Sequence, residues 1–308
     1  MNKIRNIWVC GIGGVGGYFG GRLAYKISNM HNDNYRIFFY ARGIHLKEIK
    51  KKSLELHTSN GDVLICEPTL ASDDINDFPN PDLCLICVKS YDLDNLISTI
   101  KEKLTDDTIL IPLMNGFDIY DRIRKNLKKS IVLPSCVYIG SHIEKPGLVI
   151  HSGNPGFFYS GFDPSHPSYK PEHVINFFNE RGIDMRWKDD PNPIIWQKFL
   201  LVASFALVSA FTGQTLGGII YDEKSREILV KIMEEIMLIA EAKGIKLPET
   251  IIEDTIEFCK DYPEVKPSYA RDVEKGKKNE GDLFRGAIIR MGKEFGIPTP
   301  STISIYKE

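Results

Sequence analysis

Short apolar runs alternate with longer, mixed stretches through the first half of the chain, and this alternation restricts the possible folds more than any other feature. Strands that are buried on both faces of a parallel sheet read as continuous apolar runs, and helical crossovers connect them. Five runs fit this description, at residues 4–10, 35–40, 83–88, 108–113 and 130–139. The pattern therefore predicts an α/β fold with a parallel sheet over about the first 150 residues.

Two further segments of the first half have a different pattern. Residues 54–57 and 63–66 flank Ser59-Asn60-Gly61-Asp62, and an Asn-Gly pair suits the tight turn of a β-hairpin. Residues 147–161 are rich in glycine, serine, histidine and aromatic residues. We therefore expect an inserted hairpin and a final strand pair near the edge of the domain.

The character of the sequence changes after Asp189-Asp190-Pro191-Asn192-Pro193. Apolar residues then recur at helical spacing, which predicts helices at residues 194–211, 225–243, 250–259 and 282–295. The length of 308 residues is about twice that of a typical domain. The sequence thus predicts an N-terminal α/β domain at residues 1–189 and an all-helical C-terminal domain at residues 190–308.

The overall composition excludes several classes of protein. Hydrophobic residues make up 43% and charged residues 26%, and 39 basic against 41 acidic residues give a net charge of −2. This balance argues against binding to nucleic acid or to a membrane surface through the overall charge of the protein. No signal peptide is evident, and the apolar stretch at 199–211 is shorter than the ~20 residues that span a bilayer. We therefore expect a soluble cytoplasmic protein.

Cysteine and histidine show no pattern that favours a metal site or a disulfide framework. Cys84 and Cys87 form a CxxC sequence, but they lie in a continuous apolar run, where residues three apart point to opposite faces of a strand. We interpret these two, like the other four cysteines, as core residues. The histidines without metal-ligand spacing are His31, His45, His57, His142, His151, His166 and His173.

The sequence Gly11-Ile12-Gly13-Gly14-Val15-Gly16 directly follows the first predicted strand and precedes a helix-compatible stretch. In such a GxGxxG motif, glycines permit a tight turn, let the backbone approach a pyrophosphate and allow close helix–strand packing. The amides at the helix N-terminus then face the phosphates. The motif predicts a dinucleotide site, with a merely glycine-rich turn as the alternative.

The end of the second predicted strand indicates which dinucleotide is bound. An acid there accepts hydrogen bonds from the ribose 2′-hydroxyl of NAD, whereas a cation suits the 2′-phosphate of NADP. The strand ends in Tyr40-Ala41-Arg42 without an acid, so NADP is favoured unless Arg42 is simply a solvated surface residue. Lys89 and Asn115 each follow a predicted strand at the edge where ligands bind, but a solvated lysine and a turn-forming asparagine fit equally well.

Polar residues in the second half are candidates for catalysis. Lys198 lies in the most apolar predicted helix, where partial desolvation disfavours the ammonium form and makes the amine a better proton donor near neutral pH. The alternative is a lysine that extends its charge to water. Glu280 lies near a predicted helix start, where the helix dipole favours the charged carboxylate. The alternative is that Glu280 is simply an acidic residue of the first helical turn.

Seven motifs, in their order and spacing, resemble the ketopantoate reductase (2-dehydropantoate 2-reductase) family: GIGGVGG, CVKS, MNG, WQK, PSYARDVEKG, NEGD and GIPTP. The likeness covers residues 4–304, and its C-terminal part is the most specific because other Rossmann dehydrogenases lack it. It implies an N-terminal Rossmann-type domain that binds NADPH, a helical C-terminal domain, and an active site in the cleft between them. It also implies a small 2-oxo acid as substrate and allows a homodimer through the C-terminal domain.

The resemblance also implies roles for individual residues. Lys198 would be the general acid, and Glu280 would be the carboxylate that organises the complex of enzyme, cofactor and substrate. Ser268 would hold the substrate, and Asn115 would bridge substrate and cofactor. The residues implied to contact NADPH beside the glycine motif are Arg42, Lys89 and Gly140.

One departure from the family pattern concerns the substrate. Family members carry asparagines four and eight positions after the lysine, where this chain has Val202 and Ala206, and Leu216 replaces a later asparagine. Each substrate polar atom left unpaired in a closed site costs about 1–3 kcal/mol. Hydrogen bonds to a hydroxy keto acid would then have to come from Ser268, Asn115, Ser204 or Ser209.

Three functions therefore stay open. The first is NADPH-dependent reduction of a 2-oxo acid, with ketopantoate of the pantothenate pathway as the main candidate. The second is reduction of a different, more apolar 2-oxo acid. The third is a non-catalytic NADP-binding sensor, against which the presence of Lys198 and Glu280 in matching motifs argues.

Overall fold

The computed structural model describes residues 4–29 and 34–305 and divides into two compact units. The first unit comprises Met1–Met114 and Ile119–Pro191. The second comprises Asn192–Glu308 together with the short segment Asn115–Asp118. This segment, which includes the predicted ligand-binding residue Asn115, is therefore packed with the C-terminal half although it follows a strand of the N-terminal half.

Strands and helices alternate in the first unit. Its strands are β1 (Asn6–Cys10), β2 (Arg36–Tyr40), β3 (Leu54–His57), β4 (Val63–Cys66), β5 (Leu70–Ser72), β6 (Leu83–Ile86), β7 (Ile109–Pro112), β8 (Ile131–Val132), β9 (Ser135–Lys145), β10 (Leu148–Ser160) and β11 (Asp184–Trp187). Its helices are α1 (Gly14–Asn29), α2 (Gly43–Lys52), α3 (Leu93–Ile100), α4 (Ile119–Asn126) and α5 (Glu172–Asn179).

Six of these strands form a parallel sheet in the order β5-β2-β1-β6-β7-β8. In its centre Ile7 of β1 pairs with Ile37 of β2 and with Leu83 of β6, and all three side chains are buried. A strand covered on both faces needs such continuous apolar residues. The predicted α/β class with a parallel sheet is confirmed.

The remaining strands form a second sheet in the order β11-β10-β3-β4, with β9 antiparallel to β10. The predicted hairpin is confirmed, since β3 and β4 pair in register from Leu54 with Cys66 to His57 with Val63. The strand predicted at 130–139 is instead two strands in different sheets. Pro134 separates them, because proline has no amide hydrogen to continue a ladder. The final strand pair consists of β9 with β10, so residues 147–161 supply only one of its two strands.

The second unit is helical, as predicted, and its described residues contain no strand. Its helices are α6 (Asn192–Thr212), α7 (Leu216–Tyr221), α8 (Glu223–Ala242), α9 (Ile251–Lys260), α10 (Ser268–Glu274), α11 (Ala287–Phe295) and α12 (Pro300–Ser304). Helix α6 packs against α8 and α10. The helix predicted at 282–295 begins as a wider π-helical turn at Asp282–Gly286, a difference that apolar spacing does not reveal.

Helix α6 is longer than its uncharged stretch indicates. It has 21 residues with a mean hydropathy of 1.8 over its most apolar window, so by length and composition it would be able to cross a membrane. The uncharged stretch at 199–211 is short, as predicted, but the helix that contains it extends back to Asn192, so length alone does not exclude a membrane span. However, 67% of that window is buried inside the protein. The burial identifies α6 as the core helix of the second unit.

Candidate functional site

The glycine motif forms a loop between β1 and α1 in which each motif glycine has a separate structural reason. Gly11 has a φ of +93°, a conformation that glycine adopts without strain. A Cβ at Gly16 would lie 1.9 Å from the Gly11 carbonyl oxygen, so only glycine lets α1 approach the strand this closely. At Gly13 a Cβ would meet nothing within 4 Å. The loop thus combines a tight turn, close packing and an open backbone position.

Gly14 and Val15 lie at the start of α1, on the side that packs within the protein. A Cβ at Gly14 would lie 2.4 Å from the Ser141 carbonyl oxygen of β9. Val15 is half-buried and packs against the core of the first unit. These two predicted cofactor residues therefore place the loop against β9 in this structure.

A cavity of about 300 Å³ lies at the carboxyl ends of β1, β2 and β6. Five predicted cofactor residues line it: Gly11, Ile12, Gly13, Arg42 and Lys89. Gly140 lies further along β9, paired with Ser152, and it is Ile143 of the same strand that lines the cavity. The structure thus brings together residues from three separate segments of the sequence at the edge of the sheet where ligands bind.

Arg42 occupies the N-cap position of α2, directly after β2. Its side chain is 76% exposed, and its Nη2 atom lies 2.5 Å from Oδ2 of Asp92. Arg42 is therefore paired with a carboxylate rather than simply solvated. Asp92 lines the same cavity, and the sequence gives no sign of this pair because the two residues are 50 positions apart.

His45 is a further cavity residue that sequence patterns miss. Its Nδ1 atom accepts a hydrogen bond from the Gly147 amide at 3.0 Å, so in the neutral ring the proton is on Nε2. Nε2 is buried and has no partner of good hydrogen-bond geometry among the described residues, although the Ile12 backbone is close enough to act on the ring. Burial lowers the pKa of His45, and an interaction with the Ile12 backbone partly offsets this. The ring thus presents a buried, neutral donor beside the glycine loop.

In the second unit, Lys198 is the only charged side chain among the 21 residues of α6. It is half-buried, and its neighbours one turn away on the same face, Ile194, Leu201 and Val202, are apolar and half-buried. Residues three and four apart on a helix lie side by side. The environment that α6 itself supplies to the amine is therefore apolar on both sides.

An aromatic cluster, made of Phe117, Trp196, Phe199, Tyr269 and Phe284, joins the four segments that carry the predicted catalytic and substrate residues. Phe117 stacks on Trp196 at a ring-centroid distance of 4.4 Å and meets Phe199 edge-on at 4.7 Å. Phe284 lies 6.5 Å from Phe199 and 5.4 Å from Tyr269. Each predicted catalytic or substrate residue lies within one to four positions of a cluster member in the sequence. The cluster therefore holds the backbones of these residues in one region of the second unit: Asn115, Lys198, Ser268 and Glu280.

Glu280 and Ser268 differ in their surroundings. Glu280 is 6% exposed, and its carbonyl oxygen accepts hydrogen bonds from the amides of Leu283 and Phe284 at the start of the π-helical turn. A Cβ at Gly281 would lie 3.2 Å from the Tyr269 hydroxyl, so this loop packs closely on α10. Ser268 is the exposed first residue of α10. The predicted position of Glu280 near a helix start is confirmed.

Two hydroxyl groups proposed as substitutes for the missing asparagines are already used inside the protein. Ser204 donates to the Leu200 carbonyl and Ser209 to the Gln214 carbonyl, each at 2.6 Å, and both side chains are fully buried. Ala206 and Leu216 are also buried, whereas Val202 is half-buried. In this structure neither hydroxyl is exposed, and each donates its proton to a backbone carbonyl, so the expectation that Ser204 or Ser209 binds a substrate gains no support here.

The cysteines lie in the core, as predicted. All six are buried and free, and the Sγ atoms of Cys10 and Cys84 are 3.7 Å apart on neighbouring strands. Burial raises the pKa of the Cys66 and Cys259 thiols to about 12. The described residues contain no group of three or more histidine, cysteine or acidic side chains that would hold a metal ion. His31 lies outside the described residues.

The parallel sheet with a glycine loop after its first strand and a cavity at the strand ends is the arrangement typical of dinucleotide-binding proteins. A family profile described as "Ketopantoate reductase PanE/ApbA" matches residues 7–164, and its C-terminal counterpart matches residues 190–308. The chain therefore belongs to the ketopantoate reductase PanE/ApbA family, whose members are NAD(P)-dependent oxidoreductases.

Relatives with curated names cover nearly the whole chain at low identity. An uncharacterized oxidoreductase of Bacillus subtilis, YkpB, is 25% identical over 97% of this chain and 95% of its own length. A 2-dehydropantoate 2-reductase of Mesorhizobium japonicum is 26% identical over 96% of this chain and 94% of its own length. The likeness extends through both units.

Solved structures have the same fold. A PanE/ApbA family ketopantoate reductase from Ralstonia eutropha aligns with a TM-score of 0.87 and 27% identity, over 97% of this chain and 95% of that one. The ternary structure of a D-mandelate dehydrogenase with NADH and anilino(oxo)acetate aligns with a TM-score of 0.82 and 19% identity, over 97% and 96%. At that identity, the second likeness concerns the fold alone.

Proposed function

We propose that this protein is an NADPH-dependent reductase of a 2-oxo acid, with the reduction of 2-dehydropantoate (ketopantoate) to pantoate as its main candidate reaction. The observation that carries the proposal is the position of Lys198, the single charged residue of the apolar core helix, beside the aromatic cluster that gathers the segments of Asn115, Ser268 and Glu280. A sensor protein has no need for a proton donor in such surroundings.

The cofactor part of the proposal is supported by the fit of the cavity in the first unit. The open backbone at Gly13 lets a pyrophosphate approach, and the His45 ring lies buried in the cavity wall beside the loop. Gly11, Ile12 and Gly13 would hold the pyrophosphate, and Arg42 and Lys89 are the cations of the cavity. When bound, NADPH supplies a hydride to the ketone carbon of the substrate.

The residues of the second unit would act on the substrate. Lys198 would hold a proton at Nζ and give it to the ketone oxygen as negative charge develops there. Glu280, which is buried, would orient the groups around that oxygen. Ser268 and Asn115 would donate or accept hydrogen bonds that fix the oxo acid. Holding both reactants in place supplies a large part of the rate enhancement.

A second candidate function, the reduction of a more apolar 2-oxo acid, is favoured by the face of α6 next to Lys198. Leu201 and Val202 are the half-buried residues there, and the hydroxyl groups of Ser204 and Ser209 are occupied by carbonyl groups. A substrate with a hydroxymethyl group would find fewer partners on this helix than an aliphatic or aromatic side chain would. The reaction and the role of Lys198 are the same in both cases.

The experiment that separates the two candidates is the measurement of kcat/KM for a panel of 2-oxo acids with NADPH. The panel contains ketopantoate, the same acid without its hydroxyl group, and phenylglyoxylate. Ketopantoate reductase activity predicts the highest value for ketopantoate. The second candidate predicts higher values for the two apolar acids, and Val202→Asn should then shift the ratio towards ketopantoate by about tenfold, as one restored hydrogen bond would. Val230→Asn in α8 is the matched control.

Cytoplasmic location and a homodimer through the second unit remain parts of this proposal. Light scattering of the purified protein measures the second of these directly.

A further inference from the structure

Asp92 is the last residue of a 3-10 turn, Ser90–Asp92, that passes directly into α3, and its backbone is helical. An aspartate that caps a helix instead has an extended backbone and accepts a hydrogen bond from an amide of the first turn. The carboxylate of Asp92 makes no such bond and lies 2.5 Å from the guanidinium of Arg42. The carboxylate is therefore directed away from its own helix and towards the cavity that the cofactor would occupy.

The pair is asymmetric in burial. The side chain of Asp92 is 24% exposed, whereas that of Arg42 is 76% exposed. Both line the cavity, with Lys89 and Tyr40 as further lining residues. Asp92 is thus the more buried partner, and Arg42 is the more exposed side chain that extends to it.

Other carboxylates add to the negative charge at this end of the cavity. Burial raises the pKa of Tyr40 above its usual value, and the charges of Cys10, Asp73 and Asp74 raise it further, while that of Arg42 lowers it. Asp73 and Asp74 are therefore close enough to act on a residue of the cavity wall. Asp92 is thus the carboxylate paired with Arg42, and Asp73 and Asp74 add negative charge near Tyr40 in the same cavity wall.

We propose that Asp92 determines cofactor selectivity, by holding Arg42 and thereby reducing the preference for NADPH so that the enzyme accepts NADH as well. A phosphate monoester carries about −1.5 to −2 charge at pH 7, so a 2′-phosphate must share Arg42 with a carboxylate that repels it. A ribose 2′-hydroxyl instead donates a hydrogen bond to the same carboxylate. This inference rests on the proposed function, because it requires a dinucleotide in this cavity.

The test is the dissociation constant of NADPH and of NADH, measured by the fluorescence of the reduced nicotinamide for four proteins. These are the wild type, Asp92→Asn, Arg42→Ala, and the double variant. Asp94→Asn is the matched control, since Asp94 is an aspartate of the same helix that pairs with Arg122 at 3.4 Å and lies outside the cavity. Thermal unfolding confirms that each variant is folded.

Wild-type protein should bind both dinucleotides, and Asp92→Asn should raise the preference for NADPH over NADH by about 5- to 20-fold. Arg42→Ala should weaken the binding of NADPH much more than that of NADH. In the double variant, which lacks Arg42, Asp92→Asn should change the preference less than it does in the wild type. Asp94→Asn should leave the preference unchanged. The inference is overturned if Asp92→Asn leaves the preference for NADPH over NADH unchanged or lowers it. It is also overturned if Asp92→Asn changes that preference equally with and without Arg42. Failure of the wild type to bind either dinucleotide overturns the proposed function instead.

Discussion

The two units of this protein carry their candidate functional residues in different ways. In the first unit, the candidate cofactor site is mainly the backbone of one loop, and four glycines within six residues define it. In the second unit, four side chains come from segments between residues 115 and 280, and an aromatic cluster brings these segments together. A function carried by local backbone is readable from spacing, whereas one assembled from distant side chains requires either the structure or a known relative.

The largest expected effect concerns the second unit. Lys198→Ala should lower kcat by about 10²–10⁴-fold, which is the usual contribution of a general acid, because no other charged group of α6 can replace the amine. The dissociation constant of NADPH should stay within about twofold, since the cofactor cavity belongs to the first unit. Steady-state kinetics and nicotinamide fluorescence measure the two quantities. Lys231→Ala on the exposed face of α8 is the control, and undiminished turnover would remove Lys198 from the mechanism.

The next effect concerns the loop of the first unit and compares two of its glycines. Gly13→Ala meets no protein atom, so stability should be unchanged while NADPH binding weakens by about tenfold or more. Gly16→Ala forces a Cβ against the Gly11 carbonyl and should lower the free energy of unfolding by roughly 1–3 kcal/mol. Urea unfolding and NADPH titration separate the two outcomes. If Gly13→Ala binds NADPH as tightly as the wild type, the open position is not part of the cofactor site.

A smaller effect is expected from the aromatic cluster. Phe117→Ala removes the ring that stacks on Trp196 and should raise KM for the oxo acid by about 3- to 10-fold, because Asn115 is then less well positioned. NADPH affinity should not change if the cluster serves only the second unit. Phe258→Ala is the control, since that ring is 52% exposed in the same unit. Equal losses in substrate and cofactor affinity would show that the two units are not separable in the way that we describe.

The smallest effect is the pH dependence that His45 gives to stability. Burial lowers its pKa in the folded protein below the ordinary value of 6.5, so the unfolded chain takes up a proton first as the pH falls. The free energy of unfolding should therefore decrease below about pH 6.5, and the loss should be complete once the pH is below the folded-state pKa. Urea unfolding between about pH 7.5 and pH 5 measures this, and His45→Gln should flatten the curve. His173→Gln in α5 should not, and identical slopes for wild type and His45→Gln would contradict this role.

The difference between the units also shows how far the sequence leads. Apolar runs located β1, β2, β6 and β7 to within two residues at most ends, because buried parallel strands are apolar throughout. Helical spacing located α6, α8 and α9 in the same way. Helix α7 was missed, since six residues that include Gly217 and Gly218 show no periodicity, and its position depends on the Thr215 cap and on packing against Pro263.

The sequence likewise predicted only some residues of the candidate site. The glycine loop and Arg42 followed from spacing after the first two strands, and the structure brings both to one cavity. Two other residues that line this cavity, Asp92 and His45, could not be predicted from the neighbouring sequence. Each is paired with a residue far away in the chain, Arg42 for Asp92 and Gly147 for His45. The roles of Lys198, Glu280 and Ser268 rest on the family resemblance, since an isolated lysine or glutamate in a helix has no pattern of its own.

The most direct test of the account is the stoichiometry of the reaction itself. Purified protein is mixed with NADPH and each 2-oxo acid of the panel, and the loss of nicotinamide absorbance is compared with the amount of 2-hydroxy acid recovered by chromatography. With at least one acid, one hydroxy acid should form for each NADPH consumed, and Lys198→Ala should give no product on the same time scale. Tight binding of NADPH without its consumption by any of the acids would contradict the proposed function and would favour a sensor.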